Sequence, residues 1–364
     1  QNTVYAGNPG HYKKSLNALD IANPKKVLET ARNWLGKGSY NLEVHPKKTF
    51  NALSEGADRS KVPETTEFPK TKFVDFEQTI LPNGLKLTVA YQPSIPIVNF
   101  NLLLDAGYAA DQFSEPGTSS LAMAMLDEGT TKLSALEISD AAANIGAIIS
   151  ASAGIDSSSV SLNALKENLD NSLKLYADVI LNPSFPINEL ERLRNQRLAQ
   201  IQQEKNQPFG IALRILPRLL YGDDHAYSLP LTGSGTEVSV KNITQDSLIQ
   251  FHQDWFKPNN ASMVVVGDIT MNEIRPKLEK YFKNWVPGTL QQKNIAPVEI
   301  QKNETIYLID RPGAQQSIVL AANIAPSPAN SDELAVESMN EVIGGSFTSR
   351  INMNLREDKG WAYG

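Results

Sequence analysis

The sequence predicts an α+β protein built on a mainly antiparallel sheet with helices packed on one face. Three observations carry this. Leu85, Leu87 and Val89 alternate with polar or small residues, Pro93 and Pro96 mark a turn, and Val98, Phe100, Leu102 and Leu104 alternate again, the period-2 signature of two half-buried strands. Long segments of helical periodicity follow, and a buried-type strand, Met263–Val266, returns after them. The opening pattern then recurs: LTVAYQPSIPIVNFNLLLDA at 87–106 is echoed by IYLIDRPGAQQSIVLAANIA at 306–325, each a strand, a proline-containing turn and a strand.

Each element has its own local reason. Near the N-terminus, Asn23-Pro24 precedes a helix at Lys26–Leu35, which Gly36 and Gly38 end, and Tyr40, Leu42 and Val44 alternate like a short strand. A helix covers about 117–126. Ser134 opens the next, with Glu137 three residues on to complete a capping box. Strands are expected at about 147–152 and 157–163, and long amphipathic helices at about 166–181 and 188–206. A shorter helix at about 210–220 comes next, then one capped by Thr244 that carries Leu248, Ile249 and Phe251, and a last one over about 271–282. The resulting organisation is a tail at 1–45, a polar, proline-rich linker at 46–72, a complete domain at 73–287, and at 298–364 two strands, two helices and the start of a third strand that open a second copy of it. Gln1 in place of Met, and an ending at Gly364 just past a helical segment, read as a processed or cut chain.

Composition narrows the function. The chain has 364 residues, 41% hydrophobic and 20% charged, with 34 Lys and Arg against 40 Asp and Glu, a net charge of −6. That excludes intrinsic disorder and argues against nucleic-acid binding, which usually shows a basic stripe. No cysteine occurs, so there is no disulfide, thiolate metal site or cysteine nucleophile. No apolar run is long enough to span a bilayer.

Of the four histidines, His11, His45, His225 and His252, none has a second histidine or a carboxylate at the spacing of a helical zinc site. His252 reads as a surface helix position, and His225, behind Gly222-Asp223-Asp224, as a loop residue in a solvated ion pair. Glu189, Glu191 and Glu204 share a helix with Arg192, Arg194, Arg197 and Lys205, which reads as a solvated face. No nucleophile elbow and no phosphate loop occur. The most suggestive stretch is GSFTSRINMNLREDKGWAYG at 345–364, where Ser346 or Thr348 is expected to cap a helix ending at Gly360. There Arg356 either pairs locally with Glu357 or Asp358, or converges with Tyr363 on an oxyanion or a substrate carbonyl.

Leu81-Pro82-Asn83-Gly84-Leu85, Lys257-Pro258-Asn259-Asn260-Ala261-Ser262-Met263 running into Val264–Asp268, and above all Gly344–Arg350 with Leu355-Arg356-Glu357 and Gly360–Gly364, make the chain from about 20 to 364 resemble the pitrilysin/insulinase family of zinc metallopeptidases, those with an inverted His-x-x-Glu-His motif. The departure matters as much as the match. Counted back from Gly129-Thr130, the motif positions hold Ser120, Met123 and Ala124. The distant glutamate ligand falls near Gln200, with Ala199 beside it and Glu204 alone one turn away. The resemblance therefore implies the family's degenerate half, with no cofactor of its own and zinc in a partner half or subunit. It also implies that Arg356 and Tyr363 bind the substrate carbonyl in trans, inside a closed chamber that takes peptides. The alternative is a non-catalytic scaffold or peptide-binding subunit. The chain alone is expected to be inactive, and its compartment periplasmic or secreted, with the cytoplasm as the alternative.

Overall fold

The computed structural model describes residues 7–43, 72–299 and 305–364. It divides into two units, Gln1–Thr71 and Lys72–Gly364. The first unit contributes α1 (His11–Asp20) and α2 (Pro24–Leu35), whose Asn23 cap accepts a hydrogen bond from Lys26 N at 2.9 Å. The strand expected around Tyr40 and Leu42 is not there: both residues are irregular and exposed, because a lone strand finds no ladder to join. Val44, His45 and the linker up to residue 71 lie outside the described residues.

Among the described residues of the second unit, six strands form one sheet in the order β1-β2-β6-β3-β5-β4. They are β1 (Glu77–Ile80), β2 (Lys86–Tyr91), β3 (Ile97–Leu104), β4 (Ile148–Ala153), β5 (Ser158–Leu165) and β6 (Ala261–Gly267). Only the β2–β6 pair is parallel; the register runs Leu87 against Met263 and Val89 against Val265. Antiparallel pairing of β3 with both β5 and β6 places Phe100 opposite Leu162 and Val265. The period-2 pattern thus turns Leu87, Val89, Val98, Phe100, Leu102, Leu104, Val160, Leu162, Met263 and Val265 to one face, where all are buried.

The helices cover that face. They are α3 (Thr118–Ala124), α4 (Ala135–Asn144), α5 (Leu169–Leu181), α6 (Ile187–Asn206), α7 (Pro208–Tyr221), α8 (Glu237–Asn242), α9 (Gln245–Trp255) and α10 (Met271–Tyr281). Their starts are chemically specified. Ser134 and Glu137 form the expected capping box on α4, and Thr244 caps α9 with Ser247 as its partner. The best-buried stripe belongs to α5, with Leu173, Tyr176, Val179 and Ile180 in the core; the Tyr176 hydroxyl donates to Val160 O at 2.5 Å. The chain is thus a mixed α/β protein on a mostly antiparallel sheet, helices on one face.

From 305 onward the structure departs from expectation. No strand forms over 306–325 among the described residues, and Ile306, Leu308 and Val319 are exposed. Two strands and a turn are marginal without further sheet neighbours. The expected helices are present as α11 (Glu333–Asn340) and α12 (Arg350–Asn352), each followed by a wider helical turn, Glu341–Gly345 and Met353–Asp358. Met339, Val342 and Ile351 stay exposed. The cap of the last helix is Ser349, whose hydroxyl accepts from Asn352 N at 3.4 Å, rather than Ser346 or Thr348.

Candidate functional site

Two places bear on function. The first is the start of α3. Asp111, buried in a 3-10 turn at Tyr108–Phe113, accepts from Gly117 N at 2.7 Å, from Ser119 N at 2.8 Å and from the Ser119 hydroxyl at 3.2 Å. A carboxylate here satisfies free N–H groups of the first helical turn. Burial nevertheless pushes the Asp111 carboxyl up to about 7.

Along α3, Leu121, Met123 and Met125 are buried in the core, while Ser120 and Ala124 are half-buried. Ser120 is covered by the loop 231–235. A Cβ added to Gly233 would lie 2.9 Å from Ser120 Oγ and 2.8 Å from the Tyr108 ring, so the glycine is what lets the loop settle there. Gly235, at φ 73°, approaches so closely that a Cβ would come within 2.1 Å of Pro116 O.

An ion pair holds this loop. Glu204 Oε2, on α6, accepts from Arg214 Nη1 at 2.7 Å, the Ser234 hydroxyl at 2.7 Å and the Thr232 hydroxyl at 3.1 Å. Arg214, on α7, also donates to Gly235 O at 2.6 Å. Both side chains are nearly buried, at 11% and 10% exposure. Gln200 also donates to the other oxygen of Glu204 at 2.9 Å. Gln200 and Ala199 themselves are exposed. Ser120, Met123, Ala124 and Gln200 offer no imidazole or carboxylate, so they do not fit zinc. Among the described residues no three His, Asp or Glu side chains converge where a metal ion could sit.

Other polar residues are more structural than their sequence context implied. His252 is half-buried rather than a free surface position: its Nε2 donates to Ile180 O at 2.7 Å, its ring stacks on Phe256 at 4.3 Å, and desolvation holds its pKa down at about 4. His225 is buried rather than solvated, stacked on Tyr221 at 4.8 Å and accepting from Tyr227 N at 3.0 Å. On α6, Arg194 leaves the solvated face and donates to Val240 O and Ile243 O, joining α6 to the end of α8.

The second place is the end of the chain. Gly360, at φ 62°, turns the backbone after the Met353–Asp358 segment; Gly360 N donates to Arg356 O at 3.1 Å and Trp361 N to Leu355 O at 2.8 Å. The turn folds Tyr363 back over Arg356. The guanidinium carbon lies 5.0 Å from the Tyr363 ring centre and 4.8 Å from that of Phe347, a cation stacked on two aromatic rings. Arg356 Nε also pairs with Glu357 Oε1 at 3.3 Å, so the local ion pair and the Arg–Tyr convergence coexist. Tyr363 is 89% exposed. The arrangement presents fixed charge and forked N–H donors beside an accessible phenol. Phe347, the second ring on Arg356, was not singled out in the sequence; its place in the glycine-flanked run before Arg350 was the available signal.

The fold agrees with comparisons to known proteins. Residues 86–229 match the model for insulinase (peptidase family M16), and residues 242–364 match the model for the peptidase M16 inactive domain. A Bacillus subtilis protein named uncharacterized zinc protease YmxG is 26% identical over 77% of this chain and 67% of its own length. A Helicobacter pylori protein named non-peptidase homolog YmxG is 23% identical over 77% of this chain and 64% of its own. The chain thus spans about two thirds of the length of these relatives. Among solved structures, a peptidase M16 inactive domain from Pseudomonas fluorescens superposes with a TM-score of 0.71 at 25% identity, covering 80% of this chain and 70% of that one. The chain belongs to peptidase family M16, the insulinase or pitrilysin family, and carries the inactive type of its domain.

Proposed function

We propose that this chain is the non-zinc half of a zinc-dependent peptidase, with Arg356 and Tyr363 gripping the peptide backbone of a substrate at a zinc centre held by a partner half or subunit. The observation that carries this is the stacked Arg356–Tyr363 pair, set on a glycine turn with the phenol exposed. The guanidinium fork and the phenol O–H donate to a peptide carbonyl and keep donating as its oxygen gains charge, which is where preorganised donors contribute most. The zinc has to be bound elsewhere, because the positions of the family motif in this chain are Ser120, Met123, Ala124 and Gln200.

Two further features support the reading. Glu204–Arg214 and the 231–235 loop close the region where a metal helix would otherwise look out. The sheet face away from the helices carries Thr88, Asn99, Asn101, Ser150, Ser152, Ser159, Ser161, Asn163 and Ser262 interspersed with Ile80, Leu103, Ile148, Val264 and Val266, and Lys86 is its one charge among the described residues. Hydroxyl and amide side chains of this kind suit the wall of a chamber that admits peptides of varied charge. In the same reading, 1–45 is the tail of a preceding homologous domain, 46–72 a linker, 73–287 the complete domain and 298–364 the opening of the next.

A second reading, a scaffold or peptide-binding subunit without a catalytic part, draws on the relative named as a non-peptidase homolog. The two separate in one experiment. Co-expression with a zinc-bearing M16 half, encoded upstream in the same gene or in a neighbouring one, is expected to give a stable complex that cleaves an unfolded peptide, while the chain alone cleaves none and holds no stoichiometric zinc. A complex whose turnover equals that of the zinc half by itself would favour the scaffold.

A further inference from the structure

Residues 293–296 lead the chain from α10 toward the segment that carries Arg356 and Tyr363, and groups from several neighbouring turns fasten them. Lys293, its side chain only 9% exposed, donates to Asp105 Oδ1 at 2.5 Å, just past β3, and to Asp156 O at 3.4 Å, in the turn between β4 and β5. Asn294 N donates to Gln112 Oε1 at 2.8 Å, and Asn294 O accepts from Ala226 N at 2.9 Å. The last fastening is His225, in the loop after α7, whose Nε2 lies 3.1 Å from Ala296 O. A carbonyl oxygen only accepts, so Nε2 is the nitrogen that carries the proton.

The other ring nitrogen is committed the opposite way. Nδ1 accepts from Tyr227 N at 3.0 Å, so it carries no proton. The two partners together assign a neutral imidazole in one tautomer. The ring is buried, stacked on Tyr221 at 4.8 Å and 5.1 Å from the Tyr227 ring. A second proton, on Nδ1, would set its N–H against the Tyr227 N–H, two donors facing each other in a site that water does not reach. His225 has no ion pair among the described residues to hold the added charge. The titratable groups around it are otherwise engaged. Tyr221 and Tyr227 face the ring, and the Tyr227 hydroxyl donates to Asp156 Oδ1 at 2.5 Å. Asp223 pairs with Arg218, Lys293 with Asp105, and Asp224 precedes His225 with its backbone oxygen accepting from Asn294 Nδ2 at 2.9 Å.

We infer that His225 is a positioning residue that works as a clasp: neutral, it fastens residues 293–296 to the loop after α7; protonated, it releases them, and with them the placement of Arg356 and Tyr363. What the clasp positions rests on the proposed trans-acting role of those two residues. The clasp itself rests on the bonds of the imidazole alone.

Hydrogen exchange of the full 364-residue chain at about pH 8 and about pH 5.5, across the range in which histidine takes up a proton, reads the clasp directly once intrinsic exchange rates are divided out. The amides of Ala226, Tyr227 and Asn294 are expected to lose protection about tenfold at the lower pH, the worth of roughly one hydrogen bond, while those of β3 and β5 keep theirs. His225→Gln donates and accepts through one uncharged amide, and should hold the segment at both pH values. His225→Phe keeps a ring on Tyr221 but neither bond, and should leave the segment open at both. Circular dichroism verifies that each variant folds. Asp111 titrates in the same window, one residue from Gln112. An opening that persists in His225→Gln would therefore assign the response to Asp111 and overturn the inference, as would equal protection of the wild type at both pH values. In the complex with a zinc-bearing half, turnover of the wild type relative to His225→Gln should fall severalfold between the two pH values, and a constant ratio would overturn the positioning role. The exchange measurement needs neither partner nor substrate, so it stands or fails apart from the peptidase reading.

Discussion

Asp111, buried, and His252, half-buried against Ile180 O, are titratable side chains whose pH effects oppose one another. The Asp111 carboxyl is raised to about 7, so between its unfolded value near 4 and pH 7 the folded protein holds a proton that the unfolded chain has released. Its contribution to stability is therefore full in acid and is lost as pH rises through 7. The His252 imidazole is lowered to about 4 from the ordinary 6.5, so its contribution is full above 6.5 and is lost as pH falls through 4. Urea unfolding of Asp111→Asn at pH 5 and pH 8 is expected to show a smaller decline toward alkaline pH than the wild type. His252→Gln is expected to resist acid better relative to its own neutral-pH stability. Unchanged pH slopes in both variants would contradict these assignments. Neither residue was legible as a desolvated titrating group. Burial of a polar side chain is a property of the folded surroundings: in sequence His252 sits between Phe251 and Gln253 on an amphipathic helix and reads as a surface position, whereas its partner Ile180 O comes from tertiary packing and the Phe256 ring lies one helical turn on.

At the scale of elements, the sheet and the helix starts were the most legible part, because period-2 alternation and Ser/Thr caps are local signals. The loop 231–235 was not, since its role depends on Arg214 reaching Glu204 across α6 and α7. Breaking that pair leaves a nearly buried carboxylate without its cation, so Arg214→Ala should cost roughly 3 kcal/mol in chemical denaturation, and Glu204→Gln/Arg214→Ala less than the sum of the two single changes. Gly235→Ala should be at least as damaging, because a methyl group 2.1 Å from Pro116 O forces loop and helix apart. A loss under about 0.5 kcal/mol for Arg214→Ala, the range of an ordinary surface change, would remove the ion pair as the fastener of the loop. The hairpin expected over 306–325 shows the opposite limit: a repeated alternation pattern specifies strands only where a sheet exists to receive them.

At the scale of the whole molecule, the chain joins a sound α/β core, a closed-over helix without metal ligands and an exposed terminal segment that presents Arg356 and Tyr363 together. The family was legible because its signature clusters at 344–364. The stacking geometry of Arg356 was not, because it needs the left-handed Gly360 turn and Phe347 from the preceding segment. The central claim is that the two residues act on substrate in trans. The measurement that tests it most directly is steady-state turnover of a peptide by the complex with a zinc-bearing half, comparing wild type with Arg356→Ala and Tyr363→Phe at equal zinc content. Each variant should lower kcat by on the order of 10²–10³ with complex formation intact, as loss of a preorganised donor does. Turnover close to wild type in both would contradict it.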